Sequence, residues 1–454
     1  MASKNQSGFS FVMLVALFFL WGLLTSLNDT LVQHLQQAFQ LKYWQAQLIQ
    51  FFFFGAYFVM SWPSGVIIRR LGYKRGIVLG LALMGLGCLL FYPATVVRMY
   101  GVFLLALFIL ASGITILQVA ANPYVAVLGS PETAASRLNL AQGFNSLGHT
   151  IAPLVGAVLI LQNVAEGQAV EVRSLQVPYI ALAVTLWLIA VLFNALHLPS
   201  IQYEEKHTRS FSIFDYPQLY LGALAIFFYV GAEISVGSFL ALYFKSDPTI
   251  AFDNKTAGAH VAFYWGSAMI GRFMGAIALS GKEQEKRRPF YMAAVPLFAF
   301  LVVLGIVSVR GMDYTMAFGF LAMLVLNYFA FFLGKSMPSR LLAVFALFNM
   351  VLLAVTMTTG GQIALWTVLG IGLFNSIMWS NIFTLAIDRL KEFTSYGSSF
   401  LVMMIVGGAI LPPLQGILAD VPSVGVKYSF MVPLVAYAYL VFYGLRGYRP
   451  RNLV

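Results

Sequence analysis

Apolar runs of about 20 residues recur from one end of the chain to the other, separated by short polar or basic segments. Each is long enough to cross a hydrocarbon core of about 30 Å as a helix. The pattern predicts helical spans at about 9–34, 45–69, 76–94, 99–128, 138–162, 176–198, 217–244, 257–280, 290–309, 313–334, 340–358, 362–387, 395–419 and 428–446. The expected fold class is therefore an all-α polytopic membrane protein with 14 helices. No stretch is left over for a sizeable soluble domain. The first run leads into Asn28-Asp29-Thr30 with no small-residue cleavage site, so it reads as a retained helix and not as a removed leader.

Polar positions inside these runs carry the next step. On the fifth span Asn139, Gln142, Asn145, Ser146 and His149 share a stripe at 100° per residue, and Pro153 lies on the same stripe. Ser112, Thr115, Gln118 and Asn122 do the same on the fourth span, and Thr25, Asn28, Asp29 and Gln33 more loosely on the first. Such faces turn toward protein or water and away from lipid. Asp29 and Glu233 stand out, because an ionised carboxylate at the bilayer centre costs about 3 kcal/mol even on insertion scales and is a functional-site hypothesis by default.

Amides donate and accept at once, which suits a neutral polyhydroxyl solute whose hydroxyls need both. Trp and Tyr faces complement the C–H side of a sugar ring. Candidate sugar-binding residues are thus Asn28, Asp29, Gln118, Asn122, Asn139, Gln142, Asn145, Tyr264, Trp265, Asn375 and Trp379. The bland reading of any single amide is interhelical hydrogen bonding. Glu233 and Arg272 read as coupling or gating residues, Arg272 either snorkelling or pairing with a carboxylate.

Composition sharpens the class. Hydrophobic residues make up 60% and charged residues 9%, well away from a soluble domain. The net charge of +11 sits in loops and not on one aromatic-interleaved surface, so a nucleic-acid partner is not expected. Of 27 Lys and Arg, nineteen fall in loops on one side and seven on the other, with Arg272 inside a span, which orients both termini to the cytoplasm. The single cysteine, Cys88, allows no intramolecular disulfide or thiolate cluster. His149 has no second His at ligand spacing, and the phosphate-cradling GxxxxGK[ST] run is missing, so no metal or cofactor is expected. A membrane-embedded enzyme would need a nucleophile–base pair, and none is found.

The division of the chain follows from the longest polar link. Residues 1–200 read as a six-helix bundle, 201–216 as a cytoplasmic linker of solvated charges, and 217–454 as a second bundle. Each bundle opens on a helix with one carboxylate, Asp29 or Glu233, as in two-bundle secondary transporters built from repeats.

Six sequence segments then carry a resemblance: Asn28-Asp29-Thr30; Gly65-x-x-x-Arg69-Arg70-x-Gly72-x-Lys74-Arg75; Gln118-Val119-Ala120-Ala121-Asn122-Pro123-Tyr124; Arg137-Leu138-Asn139-Leu140-Ala141-Gln142; Tyr229-Val230-Gly231-Ala232-Glu233; and Asn375-Ser376-Ile377-Met378-Trp379. Together they resemble the fucose permease branch of the major facilitator superfamily, and within it the bacterial glucose/galactose transporters. The resemblance implies the major facilitator fold in a bacterial inner membrane, a sugar site between two bundles, and import of a neutral hexose by symport with protons or sodium. It implies that Asp29 links sugar binding to the ion, with Asn28, Gln142 and Asn145 contacting sugar. A monomer is expected, whose partners are a small neutral sugar, the coupling ion and the lipid bilayer. N-acetylglucosamine or fucose permeases of the same family are the alternative, with a non-transporting sugar sensor as a third reading.

Three departures qualify the resemblance. Gln118 stands where fucose permeases place a second carboxylate, so Asp29 acts more nearly alone. Arg69 stands where the superfamily's loop motif usually has an acid. Eight spans follow the linker instead of six, which reads as a helix hairpin inserted at about 288–336.

Overall fold

The computed structural model describes residues 4–39, 43–156, 175–196, 212–281, 285–310 and 313–450, apart from the side chains of residues 4–7, 27–38, 43–47, 50, 153–156, 254–255 and 310. Most of the expected linker, including 201–211, lies outside the described residues, as do the side chains of Asn28, Asp29, Gln33 and Pro153. Every regular element among the described residues is helical, as the repeating apolar runs require: in lipid a helix satisfies its own backbone.

Each expected span overlaps a described helix, with 157–162 and 197–198 outside the described residues, and the differences lie in joins and breaks. The spans at 45–69 and 76–94 are two helical arms, together α2 (Tyr43–Val97), that meet at a kink and follow α1 (Lys4–Ala38). Its two arms meet at Gly72, whose φ of 81° and ψ of 165° lie outside the helical region, a conformation open to glycine. Helices α3 (Tyr100–Val127), α4 (Ala134–Gly156), α5 (Gln176–Ala195), α6 (Pro217–Ser246) and α7 (Asn254–Ala278) follow. Asp253 caps α7 by accepting from the backbone N–H of Thr256 at 2.8 Å. The hairpin segment forms α8 (Arg288–Arg310) and α9 (Thr315–Leu333), followed by α10 (Pro338–Thr358).

The last three expected spans are each interrupted. The span at 362–387 is α11 (Gly361–Asn375) and α12 (Met378–Ala386), parted at Ser376 and Ile377. The span at 395–419 is α13 (Thr394–Met403) and α14 (Gly407–Ala419), joined by a 3-10 turn, and α15 (Gly425–Ser429) precedes α16 (Met431–Phe442). Among the described residues eleven helical stretches are long and apolar enough to cross a membrane.

The chain divides into two compact units. The first collects Met1–Leu128, Leu147–Phe211 and Arg389–Val406; the second collects Gly129–Ser146, Ser212–Asp388 and Gly407–Val454. Sequence order and unit membership thus part at 129–146 and 389–406.

In the first unit α2 and α3 cross at backbone distance. A Cβ on Gly80 would lie 2.9 Å from the Leu117 nitrogen, and one on Gly113 would lie 2.7 Å from the Gly80 carbonyl oxygen. Small residues at such a crossing let dispersion act over long apolar stretches where no water is left to expel. The segment at 389–406 is held here as well. Ser398 donates to the Val119 carbonyl at 3.1 Å, and Tyr396 stacks on Trp62 with ring centroids 5.7 Å apart. Arg69, the departure in the loop motif, donates to the Tyr396 hydroxyl at 3.2 Å and lies 5.2 Å from its ring centroid. A cation–π contact thereby occupies the position where the motif usually has an acid.

In the second unit α8 and α9 pack on α7 and α11 and turn a large apolar face outward, with Phe290, Phe298, Val309, Phe318 and Phe329 exposed. At the end of α6, Asp247 ties three loops. It accepts from the Thr249 backbone at 2.9 Å and hydroxyl at 2.5 Å, and pairs with Lys427 at 3.2 Å. Lys427 also donates to the Thr359 carbonyl, and the Gly361 N–H donates to Thr249.

Burial raises the Asp247 carboxyl, but the Thr249 and Lys427 hydrogen bonds outweigh it and hold the group below its ordinary 3.8. A carboxylate lowered on folding stabilises fully above its unfolded value and loses that contribution as pH falls through the folded one. Resistance to thermal unfolding in detergent is therefore expected to weaken as pH drops below about 4, the unfolded carboxylate range. Asp247→Asn should unfold roughly 1–2 °C lower at pH 7, from about 1 kcal/mol of partly exposed pairing. It should also show a shallower fall in acid. An unchanged acid slope in that variant would mean that the stabilisation comes from other groups.

Candidate functional site

The second unit places a buried guanidinium at the centre of its polar interior. Arg272 comes from α7, and its Nε donates to the Ser376 carbonyl at 3.1 Å. That carbonyl is available because the helix breaks there. Its Nη1 donates to the Ser146 hydroxyl and, at 3.5 Å, to the Gln142 carbonyl on α4. Its Nη2 lies 3.8 Å from Oε1 of Glu233 on α6, both side chains being 12% exposed. One planar fork thus reaches α4, α6 and the α11–α12 break, a geometry suited to arginine and not to the single ammonium of lysine.

Glu233 is held from its own helix and from α7. The Tyr229 hydroxyl, one turn earlier, donates to Oε1 at 2.7 Å, and Tyr264 donates to the Glu233 backbone carbonyl at 2.9 Å. Tyr264 in turn accepts from Asn375 Nδ2 at 2.9 Å. The Asn375 carbonyl oxygen accepts from Tyr437 at 2.7 Å and from Asn349 at 2.8 Å. Carboxylate, tyrosines and amides therefore form one connected chain through α6, α7, α10, α11 and α16.

Nearby, Asn139 on α4 donates to the Ala135 carbonyl at 2.9 Å and toward Asn381 Oδ1 on α12 at 3.4 Å. Its own carbonyl oxygen, with Trp379 Nε1 and the Ser380 hydroxyl, makes no hydrogen bond among the described residues. Since buried polar groups are paired nearly always, such atoms keep unspent capacity for a polar guest.

In the first unit Gln118 Nε2 donates to the Tyr57 hydroxyl at 2.8 Å, and Asn122 donates to the Gln118 carbonyl at 3.1 Å. Ser112 and Thr115 bond back to carbonyls four residues earlier. Ser26 donates to the His149 carbonyl at 3.4 Å, joining α1 to the second half of α4. Asn28 and Asp29 lie on α1, with their side chains outside the described set.

The sequence candidates are thus distributed over both units. Asn28, Asp29, Gln118 and Asn122 belong to the first; Asn139, Gln142, Asn145, Glu233, Tyr264, Trp265, Arg272, Asn375 and Trp379 belong to the second. Tyr264 and Asn375 are both 1% exposed and mutually bonded, so they brace the interior. Trp265 is 40% exposed and packs its ring over Gly237. Sequence reasoning missed Tyr57, Tyr229, Asn349, Tyr437 and Asn381, which complete these bonds. No cluster of His, Cys, Asp and Glu that could hold a metal ion occurs among the described residues.

The chain matches the Major Facilitator Superfamily over residues 9–404. It is 45% identical to a glucose/galactose transporter of Brucella abortus, over 98% of this chain and 96% of that one. It is 38% identical to a putative glucose/galactose transporter of Helicobacter pylori, over 98% of each. Among solved structures the Escherichia coli fucose:proton symporter superposes with a TM-score of 0.77 at 30% identity, covering 97% of this chain and 99% of that one.

Proposed function

The chain belongs to the Major Facilitator Superfamily, and from that premise we propose that it imports a neutral hexose by symport with protons or sodium through alternating access. It is a multi-pass membrane protein of transporter type, not an enzyme. The observation that carries the substrate class is the 45% identity, over 98% of the chain, to a protein named as a glucose/galactose transporter. Buried amides in each unit support it, because Asn122 in the first and Asn139, Gln142 and Asn145 in the second supply paired donors and acceptors within apolar surroundings. Fucose is the second reading, supported by the likeness to a fucose:proton symporter. Gln118, in place of a second carboxylate, weighs against copying that protein's coupling.

In the proposed mechanism Asp29 takes up and releases the coupling ion, while Asn28, Gln118, Asn122, Gln142, Asn145 and Trp379 contact the sugar. Trp379 enters this set on its unspent indole N–H, and Asn139 joins it on its unspent side-chain carbonyl oxygen. Tyr264 and Asn375 hold the second unit in shape, and Arg272 with Glu233 forms a gating latch at the α11–α12 break. The linker remains the joint between two six-helix sets, with α8 and α9 as an addition to the second. Both termini face the cytoplasm, by the loop-charge bias.

Counterflow in proteoliposomes tests this reading. Labelled glucose or galactose is expected to exchange without any gradient and to accumulate when a sodium or pH gradient is applied. Absence of hexose exchange in correctly folded protein would remove the proposal. Exchange without accumulation under either gradient would leave a facilitator in place of a symporter.

A further inference from the structure

Outside the transport interior the second unit carries an apolar groove whose mouth is basic. The groove, of about 480 Å³, runs along the C-terminal half of α9 and is closed by α10, with Leu326, Tyr328, Phe329, Phe332, Leu333 and Phe348 on its walls. Phe329 and Leu333 are each 60% exposed. Within a bilayer this surface faces acyl chains, and a concave trough there holds one chain in place of many transient ones.

The charge at its mouth distinguishes this groove from ordinary lipid-facing surface. Directly after α9, Lys335 and Ser336 take positive φ values of 48° and 53°, and Arg340 opens α10. The N-terminus of α8 is drawn to the same place. The groove residue Tyr328 donates to the Pro289 carbonyl at 3.3 Å, and Arg288 donates to the Ser336 hydroxyl at 2.5 Å and to the Ser280 carbonyl at 2.7 Å. Both terminal nitrogens of Arg288 are engaged in these bonds. Lys286, Arg287, Lys335 and Arg340 remain exposed around the mouth, against one exposed carboxylate, Glu285, in the described parts of the two segments. The loop-charge bias places this end in the cytoplasm, where anionic lipid headgroups lie at the depth of these side chains.

We propose that this groove is a binding site for an anionic phospholipid of the inner leaflet. One acyl chain lies along α9 between Leu326 and Leu333, and the phosphate sits among Lys286, Arg287, Lys335 and Arg340. A zwitterionic lipid offers the same chain but no net charge for the collar. A second protein copy would bring its own basic collar against this one, which charge opposes. The site is independent of the transport reading, since none of its residues belongs to the polar interior.

The test is native mass spectrometry of the full chain in detergent, titrated with palmitoyl-oleoyl phosphatidylglycerol or the matching phosphatidylcholine. Phosphatidylglycerol is expected to be retained at least about ten-fold better. Lys335→Gln with Arg340→Gln should erase most of that preference, and Leu333→Trp, which fills the groove from an exposed position, should lower retention of both lipids. Phe329→Ala gives a second groove variant, and thermal shift on adding phosphatidylglycerol gives a readout for any variant that is poorly expressed. Equal retention of the two lipids by the wild type overturns the proposal. So does a groove variant that binds phosphatidylglycerol as the wild type does, because the basic loops alone would then account for it. A concentration-dependent dimer abolished by Leu333→Trp would assign the groove to a second copy and also overturn it.

Discussion

Arg272→Leu is expected to abolish sugar uptake and to lower the unfolding temperature by roughly 8 °C, the largest stability loss of any single change in the polar interior. The reason is the number of groups that depend on one fork. Arg272 bonds the Ser376 carbonyl at 3.1 Å, the Ser146 hydroxyl and the Gln142 carbonyl, and faces Glu233 at 3.8 Å. Leucine leaves Glu233 with the Tyr229 hydroxyl alone, and removing one member of a buried pair costs about 3–5 kcal/mol because the other charge stays buried. The Ser376 carbonyl at the helix break also loses a donor, about 1–3 kcal/mol when nothing replaces it.

Arg272→Lys keeps the charge but not the fork, and should fall between wild type and Leu. Glu233→Gln keeps the shape and the Tyr229 bond, so counterflow should survive. The decisive measurement is the double variant Glu233→Gln/Arg272→Gln. Removing both charges should recover part of the stability lost in either single, giving a coupling well above 1 kcal/mol in the cycle. Strictly additive losses would show that the two side chains do not act as a unit. If Glu233→Gln kept counterflow but lost ion-dependent accumulation, the coupling role would move from Asp29 to Glu233.

Asp29→Asn is expected to lose gradient-driven accumulation while keeping sugar exchange, and Asp29→Ala to lose both. Asn has the same shape and much of the hydrogen bonding, but it can neither gain nor release a proton and carries no charge for a sodium ion. An intramembrane carboxylate is expensive to insert, at about 3 kcal/mol, so its presence in an apolar helix calls for a use that an amide would not serve. With Gln118 at the position where the fucose permeases carry a second acid, no other carboxylate in the first unit's polar faces is available for the task. Uptake against a gradient and counterflow, measured side by side in proteoliposomes, separate the two losses. Accumulation at the wild-type level by Asp29→Asn would end the assignment.

The all-helical, membrane-spanning character was legible in the sequence because the bilayer imposes it: an apolar run of this length has one way to satisfy its backbone. The stripes on α3 and α4 were legible for the related reason that amides do not face lipid, and Asn122, Asn139, Gln142 and Asn145 are all buried. The break between the second and third spans was legible too, since Gly72 among basic residues is where the two arms of α2 leave the helical region.

What tertiary structure alone decided is where each polar group spends its bonds. Tyr57, Tyr229 and Tyr437 sit in apolar runs and count there as hydrophobic bodies, yet their hydroxyls secure Gln118, Glu233 and Asn375. The break between α11 and α12 is likewise silent in a continuous apolar stretch, because the group that satisfies it, Arg272, lies 104 residues away along the chain. Hydropathy is a property of a segment and is written into that segment. A hydrogen bond across helices belongs to two segments at once, so the sequence by itself determined which residues avoid lipid, and only packing decided which of them are bonded across helices and which leave a buried polar atom without a bond among the described residues.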